Sequence, residues 1–186
     1  MAKRYDSITP ELRQFIEEQY LFFVATAPLA AGGHVNLSPK GLDTFRITGS
    51  NEVMYLDLTG SGNETAAHVS ENGRLTFMFC AFQGRPKIVR LYCNGRVVTR
   101  GSEEWDERMG RFPDVPGARQ IIVGAVEFIQ SSCGFGVPEM TMVAQRDMLR
   151  EWTARKGEEG IVEYRRTRNA VSIDGLAAPE TDGRPA

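Results

Sequence analysis

The stretch Val53-Met54-Tyr55-Leu56-Asp57-Leu58-Thr59-Gly60-Ser61-Gly62-Asn63-Glu64-Thr65-Ala66-Ala67-His68 decides how this chain is read. Val53 to Leu58 is apolar apart from Asp57 and reads as a strand. Thr59 to Glu64 is glycine-rich and polar, so it ends the strand and opens a helix. Ser61 and Glu64 stand at capping-box spacing, where each side chain can satisfy an amide left free in the first turn. The helix continues through Ala66, Ala67 and Val69, and Asn72-Gly73 stops it. A strand running straight into a helix start presents free backbone N–H groups and the positive end of the helix dipole, which suits an anion. Gly60 and Gly62 let a phosphate come close to the backbone, and Ser61, Asn63 and Thr65 add donors. The same residues also describe a capped helix after a tight turn, and the motif alone does not choose between the two readings.

Upstream, Thr9 caps a helix that begins with Pro10 and Glu11 and runs towards Tyr20. Leu21 to Ala27 reads as a buried strand. A Gly-rich turn at 31–33 leads to a second strand over His34 to Leu37, which Ser38-Pro39-Lys40-Gly41 breaks because proline cannot donate to a central ladder. Phe45 to Ile47 resumes extended structure. Downstream, Leu75, Phe77 and Phe79 alternate with more polar neighbours at strand period. Lys87 to Tyr92 and Arg96 to Thr99 flank Asn94-Gly95, a hairpin turn or a bulge. Glu103 to Arg111 is predicted helical, and Gln120 to Gln130 is a long apolar strand ending in a glycine-containing loop at 131–138. Gln145 to Lys156 is an amphipathic helix with Met148, Leu149 and Trp152 inward, stopped at Gly157. Residues 1–176 form one domain and 177–186 a loose tail. The links between successive strands are too short for most parallel crossovers. The expected fold is therefore mainly β: an antiparallel barrel with peripheral helices.

At 186 residues, with 41% hydrophobic and 25% charged residues, the chain is an ordinary globular domain. Its formal net charge of −2 provides no general attraction to nucleic acid or anionic lipid. The apolar run Leu21–Ala31 is too short to span a bilayer. Cys80, Cys93 and Cys133 are odd in number and form no CxxC, and no secretory leader opens the chain, so a cytoplasmic protein with reduced thiols is expected. His34 and His68 are too few to suggest a metal site.

Three further constellations bear on chemistry. Asn36-Leu37-Ser38-Pro39-Lys40 is a polar strand end whose lysine can neutralise a phosphate or an anionic ring, or can be an exposed turn lysine. Ser132-Cys133-Gly134-Phe135-Gly136-Val137-Pro138 is an aromatic, glycine-containing loop suited to lining a ligand, with Cys133 read as a packing thiol. Arg90 and Tyr92 share a strand face and could meet a ligand or a partner subunit, or simply be solvated. The run Arg165-Arg166-Thr167-Arg168 reads as a solvated face.

Taken together, FFVATA at 22–27, HVNLSPKG at 34–41, VMYLDLTGSGNETAAH at 53–68, RLTFMFCAF at 74–82, RLY at 90–92 and SCGFGVP at 132–138 resemble the pyridoxamine-phosphate-oxidase-like split-barrel flavoproteins. The resemblance implies a six-stranded antiparallel split β-barrel and a homodimer with flavin mononucleotide (FMN) in each of two clefts between subunits. It implies that Asn36, Ser38 and Lys40 run beside the isoalloxazine. Asp57 and Thr59, with Ser61, Gly62, Asn63 and Thr65, would serve the ring edge, ribityl chain and phosphate. Cys133 and Gly134 would close the cleft, from the second subunit. The oxidases proper carry an Arg/Lys-rich phosphate motif where this chain has Ser61-Gly62-Asn63-Glu64, and a basic, His-containing C-terminal motif absent from 173–186. The implied activity is therefore an FMN-dependent oxidoreduction of a small conjugated substrate, with a nicotinamide cofactor or oxygen closing the cycle. The alternatives are a deazaflavin-dependent reductase on the same barrel and a non-catalytic binder of flavin or haem. No side-chain acid or base is required, because the flavin supplies the hydride chemistry.

Overall fold

The computed structural model describes residues 2–182. Its strands are β1 (Lys3–Tyr5), β2 (Phe22–Thr26), β3 (Asn36–Lys40), β4 (Phe45–Ile47), β5 (Glu52–Leu58), β6 (Arg74–Cys80), β7 (Ile88–Thr99) and β8 (Ala118–Ser132). The helices are α1 (Pro10–Glu17), α2 (Glu64–Asn72), α3 (Glu103–Met109) and α4 (Met148–Arg168). All strand pairs are antiparallel, in the order β3-β2-β6-β7-β8-β5-β4, with β1 also on β8. The long strand β8 is the spine. One edge pairs with β7 throughout, and the other is shared between β5 over its first half and β1 over its second.

Period-two alternation sends β5 into two cores. Val53 and Tyr55 join the barrel interior with Val24, Phe77, Leu91 and Ile129, while Met54 and Leu56 pack under α3 with Trp105, Ile121 and Val123. That double burial is why β5 reads as a nearly continuous apolar run. In β8 the register shifts between Tyr92↔Phe128 and Cys93↔Val126, leaving Glu127 as the extra residue. This bulge changes the parity of the strand. Ile122, Val126 and Ile129 therefore all face the interior, and Phe128 turns outward to stack on Tyr92 with ring centroids 4.5 Å apart.

The sheet has eight strands rather than the expected six. The polar three-residue β1 has no apolar alternation by which to be recognised. Pro39 lies inside β3, opposite Phe23, instead of ending it; β3 is the edge of the sheet, where a missing N–H costs nothing. Asn94-Gly95 makes no hairpin and runs on within β7. The N-cap of α2 is Asn63, with no side-chain cap bond, so the predicted Ser61–Glu64 capping box does not form. The expected helix end at Gly157 is a break in α4, at φ 67° and ψ 175°, and a second helical stretch follows it to Arg168. Met148, expected inward, is exposed. Of the segment 177–186, Ala177 bridges Val171, the Ala178 N–H donates to Ala170, and Thr181 is buried; 183–186 lie outside the described residues.

Candidate functional site

One end of β3, the end of β5, the turn into α2 and the C-terminal end of α4 enclose a cleft of about 830 Å³. Strand alternation builds its first side: Asn36, Ser38 and Lys40 face inward and are half-buried, while Leu37 and Pro39 face out. Asn36 Nδ2 donates to Thr26 Oγ1 at 3.1 Å and to Thr65 Oγ1 at 3.0 Å, and Ser38 Oγ donates to Asn36 Oδ1 at 2.8 Å. These bonds tie β3 to β2 and to the first turn of α2.

The floor is a buried ionic network around Asp57. Lys40 Nζ donates to Asp57 Oδ1 at 3.0 Å; Arg119 Nη2 and Gln120 Nε2 donate to Oδ2 at 2.6 and 2.8 Å. Burial alone pushes the Asp57 carboxyl up. The charges of Arg119 and Lys40, with the hydrogen bonds from Arg119 and Gln120, outweigh burial and hold it well below the usual carboxylate range. Asp57 is thus ionised, and two cations against one carboxylate leave the floor with net positive charge. Arg119 Nη1 also donates to Gly62 O at 3.1 Å and to Asn169 Oδ1 at 2.8 Å, and Gln120 Nε2 donates to Asn63 Oδ1 at 2.7 Å. The network therefore fixes the turn into α2. The amides of Glu64, Thr65 and Ala66 have no acceptor among the described residues and stand at the positive end of α2.

The second side comes from the C-terminal part of the chain. Arg168, Val171, Ser172 and Ile173 line the cleft. The Ile173 N–H donates to the Glu64 carboxylate at 3.0 and 3.2 Å. Asp174 accepts from the His34 backbone N–H at 2.7 Å, and its other oxygen lies 2.7 Å from His34 Nδ1. The hydrogen bond and charge of Asp174 raise the imidazole pKa, and those from His34 lower that of Asp174.

Of the residues singled out in the sequence, Asn36, Ser38, Lys40, Asp57, Ser61, Gly62, Asn63 and Thr65 meet in this cleft. Thr59 does not reach it. Its side chain is fully buried, donates to Gly117 O at 2.9 Å and accepts from Arg165 Nε at 2.8 Å. Cys133 and Gly134 lie past the far end of β8, outside the cleft of their own chain. Arg119, Gln120, Asn169 and Arg168 were missed. For Arg119 and Gln120 a signal existed: a polar pair opening an otherwise apolar strand. In the basic run 165–168 only Arg165 leaves the solvent; Arg166, Thr167 and Arg168 are exposed. Arg165 is buried, exposed Arg166 pairs with Glu163, and Arg168, one turn on from Arg165, borders the cleft. No group of three metal-binding side chains occurs among the described residues, and no helix among them is long and apolar enough to cross a membrane.

An antiparallel split barrel with an electropositive cleft beside a helix start defines the class. Residues 8–133 match the family described as pyridoxamine 5'-phosphate oxidase. A relative from Aspergillus flavus, the pyridoxamine 5'-phosphate oxidase family protein ustO, is 38% identical, covering 92% of this chain and 76% of its own. The chain belongs to the pyridoxamine 5'-phosphate oxidase family. Its fold is shared with HupZ from Group A Streptococcus, with a TM-score of 0.51 at 23% identity over 66% of this chain and 91% of that one. A protein from Lactobacillus delbrueckii solved as a putative pyridoxamine 5'-phosphate oxidase superposes with a TM-score of 0.52 at 13% identity, over 67% and 94% of the two chains.

Proposed function

We propose that the cleft binds FMN and that the protein is an FMN-dependent oxidoreductase acting on a small conjugated substrate. The observation that carries this reading is the pairing of unsatisfied first-turn amides of α2 with a positively charged floor formed by Lys40 and Arg119 around Asp57. The donor set fits the cofactor: amides and hydroxyls for a phosphomonoester at one end, and a polar strand with an ammonium group for a planar heterocycle at the other. The cleft volume of about 830 Å³ is within the range of small-molecule sites.

When bound, the flavin supplies hydride transfer, and a nicotinamide or oxygen closes the cycle. The chain's own residues bind and orient. Asn36 and Ser38 tie β3 to α2, so the strand would be pre-positioned to receive the cofactor. Lys40, anchored by Asp57, would hold a fixed positive charge beside the bound cofactor and so would favour extra negative charge on it. Asp57 stays ionised and takes no proton in the cycle. Tyr55 lies beneath, with Lys40 Nζ 5.7 Å from its ring centre; burial and then Asp57 raise its phenol well above the ordinary value, so it remains protonated. The exposed apolar rim of Val35, Leu37, Val171 and Ile173 supports a homodimer whose second subunit closes the cleft, with the Cys133–Gly134 loop as the segment that reaches across. The three free cysteines support a cytoplasmic location.

The absorption spectrum of freshly purified protein, followed by titration with FMN, tests the reading. Flavin bands, or saturable uptake at one FMN per chain, are expected. A deazaflavin band, a Soret band or no uptake would refute it.

A further inference from the structure

Four cationic or ionisable basic side chains border the cleft: His34, Lys40, Arg119 and Arg168. His34 is engaged by Asp174, and both Lys40 and Arg119 are engaged by Asp57. Arg168 is exposed at the border of the cleft and makes no ion pair and no side-chain hydrogen bond among the described residues, although the other arginines of its turn, Arg165 and Arg166, are both paired.

The place of Arg168 in the fold is fixed by its neighbour. Asn169 is buried; its Nδ2 donates to Gly60 O at 3.1 Å, its Oδ1 accepts from Arg119, and its backbone carbonyl accepts from Asn63 Nδ2 at 3.3 Å. The end of α4 is thereby pinned to the 60–63 turn, where the free amides of α2 begin and where the Ser61 hydroxyl has no partner among the described residues. Glu64 lines the same rim with a carboxylate, a negative charge in the first turn of α2. An anion seated there would meet one available guanidinium and one opposing carboxylate.

We propose that Arg168 is the residue that reads the cofactor's phosphate, supplying from α4 the charge missing from the 61–64 segment, and that Glu64 opposes it and limits affinity. The inference rests on the flavin reading and deepens it: the cleft selects a phosphomonoester over the bare ribityl alcohol. Since α4 lies outside the family match at 8–133, the cation comes from a different part of the chain than the anion-binding turn it serves. A role of Arg168 confined to complementing the helix C-terminus would give no such selectivity.

The test is titration of the full-length protein and its Arg168→Ala, Arg168→Lys and Glu64→Gln variants with FMN and, separately, with riboflavin, read by quenching of flavin fluorescence. Wild type is expected to bind FMN at least tenfold more tightly than riboflavin, the worth of about one charge-assisted hydrogen bond. Arg168→Ala should weaken FMN about tenfold and leave riboflavin unchanged, with partial recovery in Arg168→Lys. Glu64→Gln should tighten FMN alone. Equal effects of Arg168→Ala on both ligands, or wild-type binding of the two alike, would overturn the inference while leaving a flavin site. Loss of FMN affinity in Glu64→Gln would also overturn it. Failure of wild type to bind either ligand would end the flavin reading itself.

Discussion

The two sides of the cleft are held in different ways. The barrel side is a closed network: Asp57 and Arg119 are each 2% exposed and multiply bonded, and their partners reach from β3, β5, β8 and the turn into α2. The C-terminal side is held at its outer end by the Ile173–Glu64 and His34–Asp174 contacts, which solvent reaches. Asn169 joins the two through Asn63, Arg119 and Gly60, and one turn earlier Arg165 ties α4 to Thr59 and Ala118. The first side sets the charge of the site and cannot be loosened without loosening the barrel. The outer contacts of the second are the ones expected to open first, at less cost than the floor.

Three measurements sharpen this contrast. Asp57→Ala leaves Lys40 and Arg119 as unpaired charges against a buried floor and should cost about 3–5 kcal/mol, seen as a large fall in the urea midpoint. A small fall would mean that the floor is open to water and electrostatically weak. Asn169→Ala removes bonds that join the two sides and strands a donor of Arg119; an intermediate loss of about 1–3 kcal/mol is expected, with faster amide exchange across 168–174. Exchange unchanged there would show that the 168–174 segment is anchored elsewhere.

The smallest effect is pH-dependent. The folded-state pKa of His34 is raised, so its contribution is complete below the ordinary imidazole value and is lost as pH rises through the raised one. That of Asp174 is lowered, so its contribution is complete above the ordinary carboxylate value and is lost as pH falls through the lowered one. The contact is therefore strongest between those limits. Amides of 171–174 should be best protected in mildly acidic solution and exchange faster above neutrality than bulk pH dependence accounts for, with the global midpoint unmoved. Protection that follows the global midpoint instead would make the 171–174 segment part of the barrel.

Much of the barrel side was legible in the sequence because it is written in local periods. The glycine-rich turn announced the start of α2, and Asn36, Ser38 and Lys40 stood out as polar residues, but their common face did not, because Pro39 reads as a strand breaker unless the strand is known to be an edge. The Lys40–Asp57 bond was not legible, because it joins β3 to β5 across the opening of the barrel, and no spacing rule specifies such a pair. Thr59 looked like a ligand donor because nothing local reveals that Arg165, 106 residues away, lies over it. The C-terminal side was the least legible. Its basic run has the composition of a solvated face, and only the docking of α4 buries Arg165 and sets the exposed Arg168 at the border of the cleft.

A crystal structure grown with saturating FMN tests the central claim most directly. The account predicts the phosphate against the amides of Glu64, Thr65 and Ala66 with the Arg168 guanidinium upon it, and the ring along Asn36 to Lys40. Flavin lodged elsewhere on the barrel, or a phosphate seated away from those amides at saturating ligand, would contradict it.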